Sequence, residues 1–142
     1  MRLRRLGSAL LVWALAALSA CSVPEAAEGE TFLRRDQARE GVYVFPLTLT
    51  DTTAAYDFWF YSRSERRAVD NLRLDVRWTA PSGDSFTETV YMRRVTPGGT
   101  RELYRSGMVP AQAGSWRLSV RPAEAEEILG LGLISRRSDG TR

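Results

Sequence analysis

Cys21 is the one thiol in this 142-residue chain, and histidine is absent altogether. The side chains left to do chemistry are this thiol, the carboxylates, the tyrosines, the serines and the arginines. A single cysteine forms no internal disulfide and no Cys-rich metal site. Without histidine there is no Ser-His-Asp or Cys-His arrangement, no His-liganded zinc and no imidazole proton shuttle. No catalytic residue, metal or cofactor is assigned on this basis. A carboxylate hydrolase would have to use a pair such as Asp57 and Glu88, brought about 5–10 Å apart in a cleft. The other recognisable chemistry is a flat aromatic surface with planar polar neighbours. Trp59 and Tyr61, with Arg73, Asp75 or Arg77 beside them, have the composition of a sugar- or partner-binding platform. A covered face is the competing expectation for Trp59 and Tyr61, and a solvated ladder of alternating charge for Arg73, Asp75 and Arg77.

The surroundings of Cys21 give it a more definite role. Arg2, Arg4 and Arg5 stand ahead of an apolar run from Leu6 to Leu18 that only Gly7 and Ser8 interrupt. A basic head, an apolar core of that length and small residues before the cysteine make a secretory signal, too short for a spanning helix. Leu18-Ser19-Ala20-Cys21 resembles the lipobox of bacterial lipoproteins. That resemblance implies cleavage after Ala20, diacylation of the Cys21 thiol and acylation of the new amine, so that membrane lipid is the first partner. Ser22 rather than Asp at the second mature position implies, by the same resemblance, passage beyond the inner membrane to the outer one.

Removing residues 1–20 leaves 122, one domain with room for its own core. The sequence pI of about 9.5 suggests a polyanion partner, but three of the 20 basic residues precede Cys21 and none of the 17 acidic ones does. The remainder balances 17 against 17, which leaves no net basic field for nucleic acid. Every basic residue is Arg.

Residues 21–40 read as the lipidated cysteine and an acidic tether, with Glu25, Glu28 and Glu30 and no apolar periodicity; Phe32 and Leu33 could pack on the domain where it ends. The folded domain is expected over 41–135, and 136–142 as a polar tail. Alternation from Tyr43 to Thr50 predicts a strand that Pro46 confines to a sheet edge. Tyr56 to Arg63 is a strand with aromatics on both faces. Leu72, Leu74, Val76 and Trp78 alternate with Arg73, Asp75, Arg77 and Thr79, a strand half buried and half wet. Ala80 to Asp84 turns it into a return strand, Phe86 to Met92, whose faces are mixed because Glu88 shares a side with Phe86, Val90 and Met92. A short strand follows over 102–105 beyond a Thr96–Thr100 loop tip, and another segment is expected to begin at Met108-Val109. Trp116, Leu118 and Val120 point inward on the next strand, with Arg117, Ser119 and Arg121 outward. After a helical turn near Pro122 comes a last strand from Ile128 to Ile134. There Gly130 and Gly132 leave one face thin enough for a bulky neighbour, with Trp59 or Trp116 as the expected occupant. Short strands with turns between them, and no long helical pattern, predict an all-β antiparallel sandwich, jelly-roll-like.

The order of these features resembles the GldH-type gliding-motility lipoproteins. It runs from the lipobox through Leu49-Thr50-Asp51-Thr52, the aromatic strand from Tyr56 to Ser62-Arg63, and Asn71-Leu72-Arg73-Leu74 leading to Pro81-Ser82-Gly83. Gly114-Ser115-Trp116-Arg117-Leu118 and Ile128-Leu129-Gly130-Leu131-Gly132-Leu133 complete it. The resemblance implies a lipid-anchored, non-catalytic component of an envelope machine for gliding or secretion, with envelope proteins as partners and no site residues to carry over. The alternative from the residues themselves is a glycan-binding sandwich.

Overall fold

The computed structural model describes residues 28–138, which form eight strands: β1 (Gly29–Arg34), β2 (Tyr43–Leu49), β3 (Tyr56–Ser64), β4 (Val69–Thr79), β5 (Ser85–Val95), β6 (Thr100–Met108), β7 (Gly114–Pro122) and β8 (Ile128–Arg137). They pair antiparallel in two four-stranded sheets, ordered β1-β8-β3-β6 and β2-β7-β4-β5. The β4–β5 hairpin stays within one sheet and the other connections cross between the two, which is the winding of a jelly roll. The all-β sandwich expected from the alternation is therefore what forms. Pro46 lies on β2, which has β7 as its one neighbour, so it sits on an edge strand as expected.

Period-two patterning puts the core between the sheets. Leu72, Leu74, Val76 and Trp78 of β4 are sealed, as are Leu118 and Val120 of β7, Phe45 of β2 and Phe58 and Phe60 of β3. Val69 is buried as well, three residues before Leu72, and strict alternation does not allow that. The break falls at Asn71, whose backbone turns to φ 51°; it and Arg93 opposite drop out of the β4–β5 pairing while the register is kept, and β5 changes phase with β4, with Met92 and Val95 both buried.

Trp78 occupies the centre. Phe58 meets it edge-on from the opposite sheet at 5.4 Å between ring centroids, with Trp116 at 6.2 Å and Tyr104 stacked at 6.4 Å. Its indole N–H donates to the Tyr104 hydroxyl at 2.8 Å, and that hydroxyl donates to the Glu88 carboxylate, which Arg105 also holds. This chain of bonds fastens β4 and β5 to β6 across the open edge of the sandwich. Burial, reinforced by the hydrogen bond to Glu88, pushes the Tyr104 hydroxyl up to about 12. A phenol whose folded value lies above the ordinary one near 10 contributes stability that is complete below pH 10 and lost as the pH climbs toward 12. Tyr104→Phe should cost about 1–3 kcal/mol at pH 7, because Trp78 and Glu88 lose a buried partner. It should also flatten the fall in stability above pH 10. Urea unfolding at pH 7 and pH 11 checks both, and an unchanged alkaline fall in the variant would assign it to another group.

The N-terminal boundary departs from expectation. The tether expected over 21–40 ends by Gly29, where β1 begins and pairs with β8 from Gly29↔Ser135 to Arg34↔Gly130. The segment GETFLR carries no alternation. It becomes a strand because β8 offers an open row of backbone groups and because the Phe32 ring lies over Gly130 and Gly132. That corrects the expected occupant of the glycine gap: Phe32 and the stem of Tyr61 fill it, and Trp59 and Trp116 do not. Two further boundaries move. The short strand at 102–105 is nine residues long and ends with Met108, which opens no new segment. Arg136 and Arg137 belong to β8, with Arg137 paired to Asp51, so the polar tail starts later than 136.

Candidate functional site

The two sheets present opposite outer faces, and the residues expected to form one binding platform are divided between them. Trp59 and Tyr61 alternate with buried Phe58 and Phe60 on β3, so they face outward from the β1-β8-β3-β6 sheet. Arg73, Asp75 and Arg77 alternate with buried Leu72, Leu74 and Val76 on β4 and face outward from the other sheet. A sandwich core lies between the groups, so no ligand bound on Trp59 reaches Arg73 or Arg77.

Trp59 and Tyr61 are also partly covered. The guanidinium of Arg101 stands 4.5 Å from the centre of the Trp59 ring system and that of Arg136 stands 5.8 Å away. Cations at that range are held by the ring quadrupole and occupy the face a sugar would need. Phe32 meets Tyr61 edge-on at 5.8 Å, and the tip of Tyr61 rests on Gly99. Leu103, the partner of Trp59 on β6, is 53% exposed, and Phe32 is 41% exposed. This face is an apolar strip edged with arginine.

The outer face of the second sheet has the more open chemistry. A shallow groove of about 650 Å³ runs across β4, β5 and β7, lined by Arg73, Asp75, Arg77, Thr87, Thr89 and Arg121 among others. Its volume lies in the range of small-ligand sites. Arg73 donates from Nε to Asp75 Oδ1 at 3.2 Å, and the Thr89 hydroxyl donates to the same oxygen at 2.9 Å. The expected charged ladder is thus present for Arg73 and Asp75 only. Arg77 instead donates to Ser85 Oγ at 3.1 Å, and Arg121 to the backbone oxygen of Glu40 at 3.2 Å. Tyr91 is the Cα partner of Arg73 on the same outer face and is 56% exposed. Sequence reasoning missed Tyr91 because Glu88 blurred the two faces of β5. The available signal was that Tyr91 stands out of phase with Val90 and Met92.

The carboxylate pair is not brought together. Asp57 lies on β3 of the first sheet, where it accepts hydrogen bonds from Ser106 Oγ, the Gly107 amide and Ser138 Oγ at 2.9, 2.7 and 2.6 Å. Glu88 lies on β5 of the second and is committed to Tyr104 and Arg105. The groove on the second sheet is bordered by Glu88 and not by Asp57. Cys21 and its acylation lie outside the described residues.

No family model matches the chain. No curated protein matches it. Among solved structures it is similar to TmCBM61 in complex with β-1,4-galactotriose, with 13% identity over 80% of this chain and 75% of that one and a TM-score of 0.36. A likeness at that level bears on neither ligand nor mechanism.

Proposed function

We propose that the chain is a membrane-tethered, non-catalytic sandwich that binds glycan on the outer face of the β2-β7-β4-β5 sheet. The observation that carries this reading is the groove lined by Arg73, Asp75, Arg77, Arg121 and threonine hydroxyls, with exposed Tyr91 next to it as the Cα partner of Arg73. A flat ring that stacks on a sugar, together with a few planar polar groups that bond its hydroxyls, is what a carbohydrate site needs. The platform thus moves from Trp59 and Tyr61 to Tyr91, while Arg73 and Arg77 keep the contact role the sequence suggests.

Anchoring rests on Leu18-Ser19-Ala20-Cys21. Gly29 follows Cys21 by eight positions, so even a fully extended connection reaches no more than about 28 Å. The sandwich would work close to the lipid, on an outer-membrane surface. The test has two arms. Cys21→Ser should move the protein from the membrane to the soluble fraction. In affinity electrophoresis through gels containing xylan, galactan, alginate or polygalacturonate, at least one polymer should retard the full chain. Tyr91→Ala should weaken that retardation about threefold to tenfold and Trp59→Ala should leave it unchanged. Loss on Trp59→Ala alone, or no retardation by any polymer, contradicts the glycan reading.

A second reading is a scaffold in a gliding- or secretion-type envelope assembly. It is favoured by the apolar strip of Phe32 and Leu103 beside arginine-capped Trp59 and by the GldH-type order of features. Recovery of envelope-assembly proteins after crosslinking through that strip would support it.

A further inference from the structure

We infer that the groove on the second sheet selects a carboxylate-bearing polysaccharide, with Arg77 and Arg121 as the groups that meet its anionic sugars; this rests on the glycan reading of the same face. The chain after Cys21 is neutral overall, yet its charges are not evenly spread. On this outer face Arg73, Arg77 and Arg121 line a groove in which Asp75 is the acidic side chain of the same face, and Asp75 is already shared by Arg73 and Thr89. Glu88 borders the groove but turns its carboxylate to Tyr104 and Arg105 on the other side of β5.

What Arg77 and Arg121 lack is an acidic partner. Some arginines elsewhere meet carboxylates, as in Arg94 with Asp70 at 2.9 Å and Arg93 with Glu102 at 3.1 Å, while others, such as Arg63 on the Pro97 carbonyl, do not. Arg77 and Arg121 meet a serine hydroxyl and a backbone carbonyl, each through one terminal nitrogen. A guanidinium carries five N–H groups in a planar fork that matches the two oxygens of a carboxylate. Each of the two therefore retains donors for a ligand without breaking an ion pair first. They project from neighbouring strands: Arg77 is the Cα partner of Ser119 on β7, two residues before Arg121. Thr87 is the partner of Arg77 on β5 and Thr89 the partner of Asp75, which places hydroxyls along the same row. Alternating cationic and hydroxyl positions suit a chain of uronic acid residues, in which carboxylates alternate with sugar hydroxyls.

The test compares two polymers with one backbone, polygalacturonate and its fully methyl-esterified form, by affinity electrophoresis of the full chain in detergent. The expected result is retardation by polygalacturonate and at least tenfold weaker retardation by the ester. Arg77→Gln with Arg121→Gln should abolish the difference. Arg66→Gln with Arg67→Gln, which removes the same charge from the loop between β3 and β4, should leave it intact. Equal retardation by both polymers, or by a neutral galactan in place of polygalacturonate, overturns the acidic selectivity and leaves the glycan reading standing. Equal loss from the Arg66 and Arg67 pair shows diffuse charge attraction and overturns the site. Retardation by no polymer overturns both.

Discussion

Trp78→Ala is expected to lower the unfolding free energy by about 3–5 kcal/mol, the cost of emptying a large aromatic site in a packed interior. Trp78 is fully buried and bridges the sheets: Phe58 reaches it from the opposite sheet, Trp116 from the neighbouring strand, and Tyr104 takes its N–H. The substitution removes the ring and strands the Tyr104–Glu88 bond at the edge of the cavity. A domain of this size holds roughly 5–15 kcal/mol in total, so the variant should sit near the threshold of folding. Urea unfolding followed by tryptophan fluorescence reads the change through the remaining indoles. A loss below about 1.5 kcal/mol, the range of a well-tolerated apolar swap, would contradict the central place given to Trp78.

Gly130→Val is expected to strip β1 from the sheet. A Cβ at Gly130 would collide with the backbone oxygen of Leu33 and come within 2.7 Å of Phe32 Cζ. A side-chain tip could rotate away, but a carbonyl held in the β1–β8 ladder cannot, so the strand must give. The expected outcome is loss of hydrogen-exchange protection over residues 29–34, with protection kept in β4 and β7, and a destabilisation of about 1–3 kcal/mol. Retained protection over 29–34 would mean that β1 does not depend on the thin face of β8. Because β1 follows the proposed lipid anchor directly, its release would also lengthen the connection between membrane and domain.

The contrast between β4 and β1 explains what was legible in the sequence. β4 alternates from Leu72 to Trp78, so its pleat, burial and outward arginines follow from period two alone. β1 has no pattern of its own; its strand state is imposed by Gly130 and Gly132, some hundred residues away, and no local reading supplies that. The same holds for function. That Trp59 and Tyr61 share a face was readable, and so was the shared face of Arg73 and Arg77. That the faces are back to back depends on which sheet each strand joins, a property of topology rather than of residue type. Tyr91 was hidden for a different reason. Glu88 on an otherwise apolar face looks like a wet position until Tyr104 and Arg105 arrive from β6 to hold it.

The most direct test of glycan binding on the second sheet is to titrate the isotopically labelled full chain with whichever oligosaccharide it retains best and follow the backbone amides by NMR. The expected shifts fall on residues 73–77 of β4, 87–91 of β5 and 119–121 of β7, with Arg77 and Arg121 side-chain signals moving at the same concentrations. Shifts confined to β3 and β8, around Trp59 and Ile134, would place binding on the opposite face and contradict this assignment.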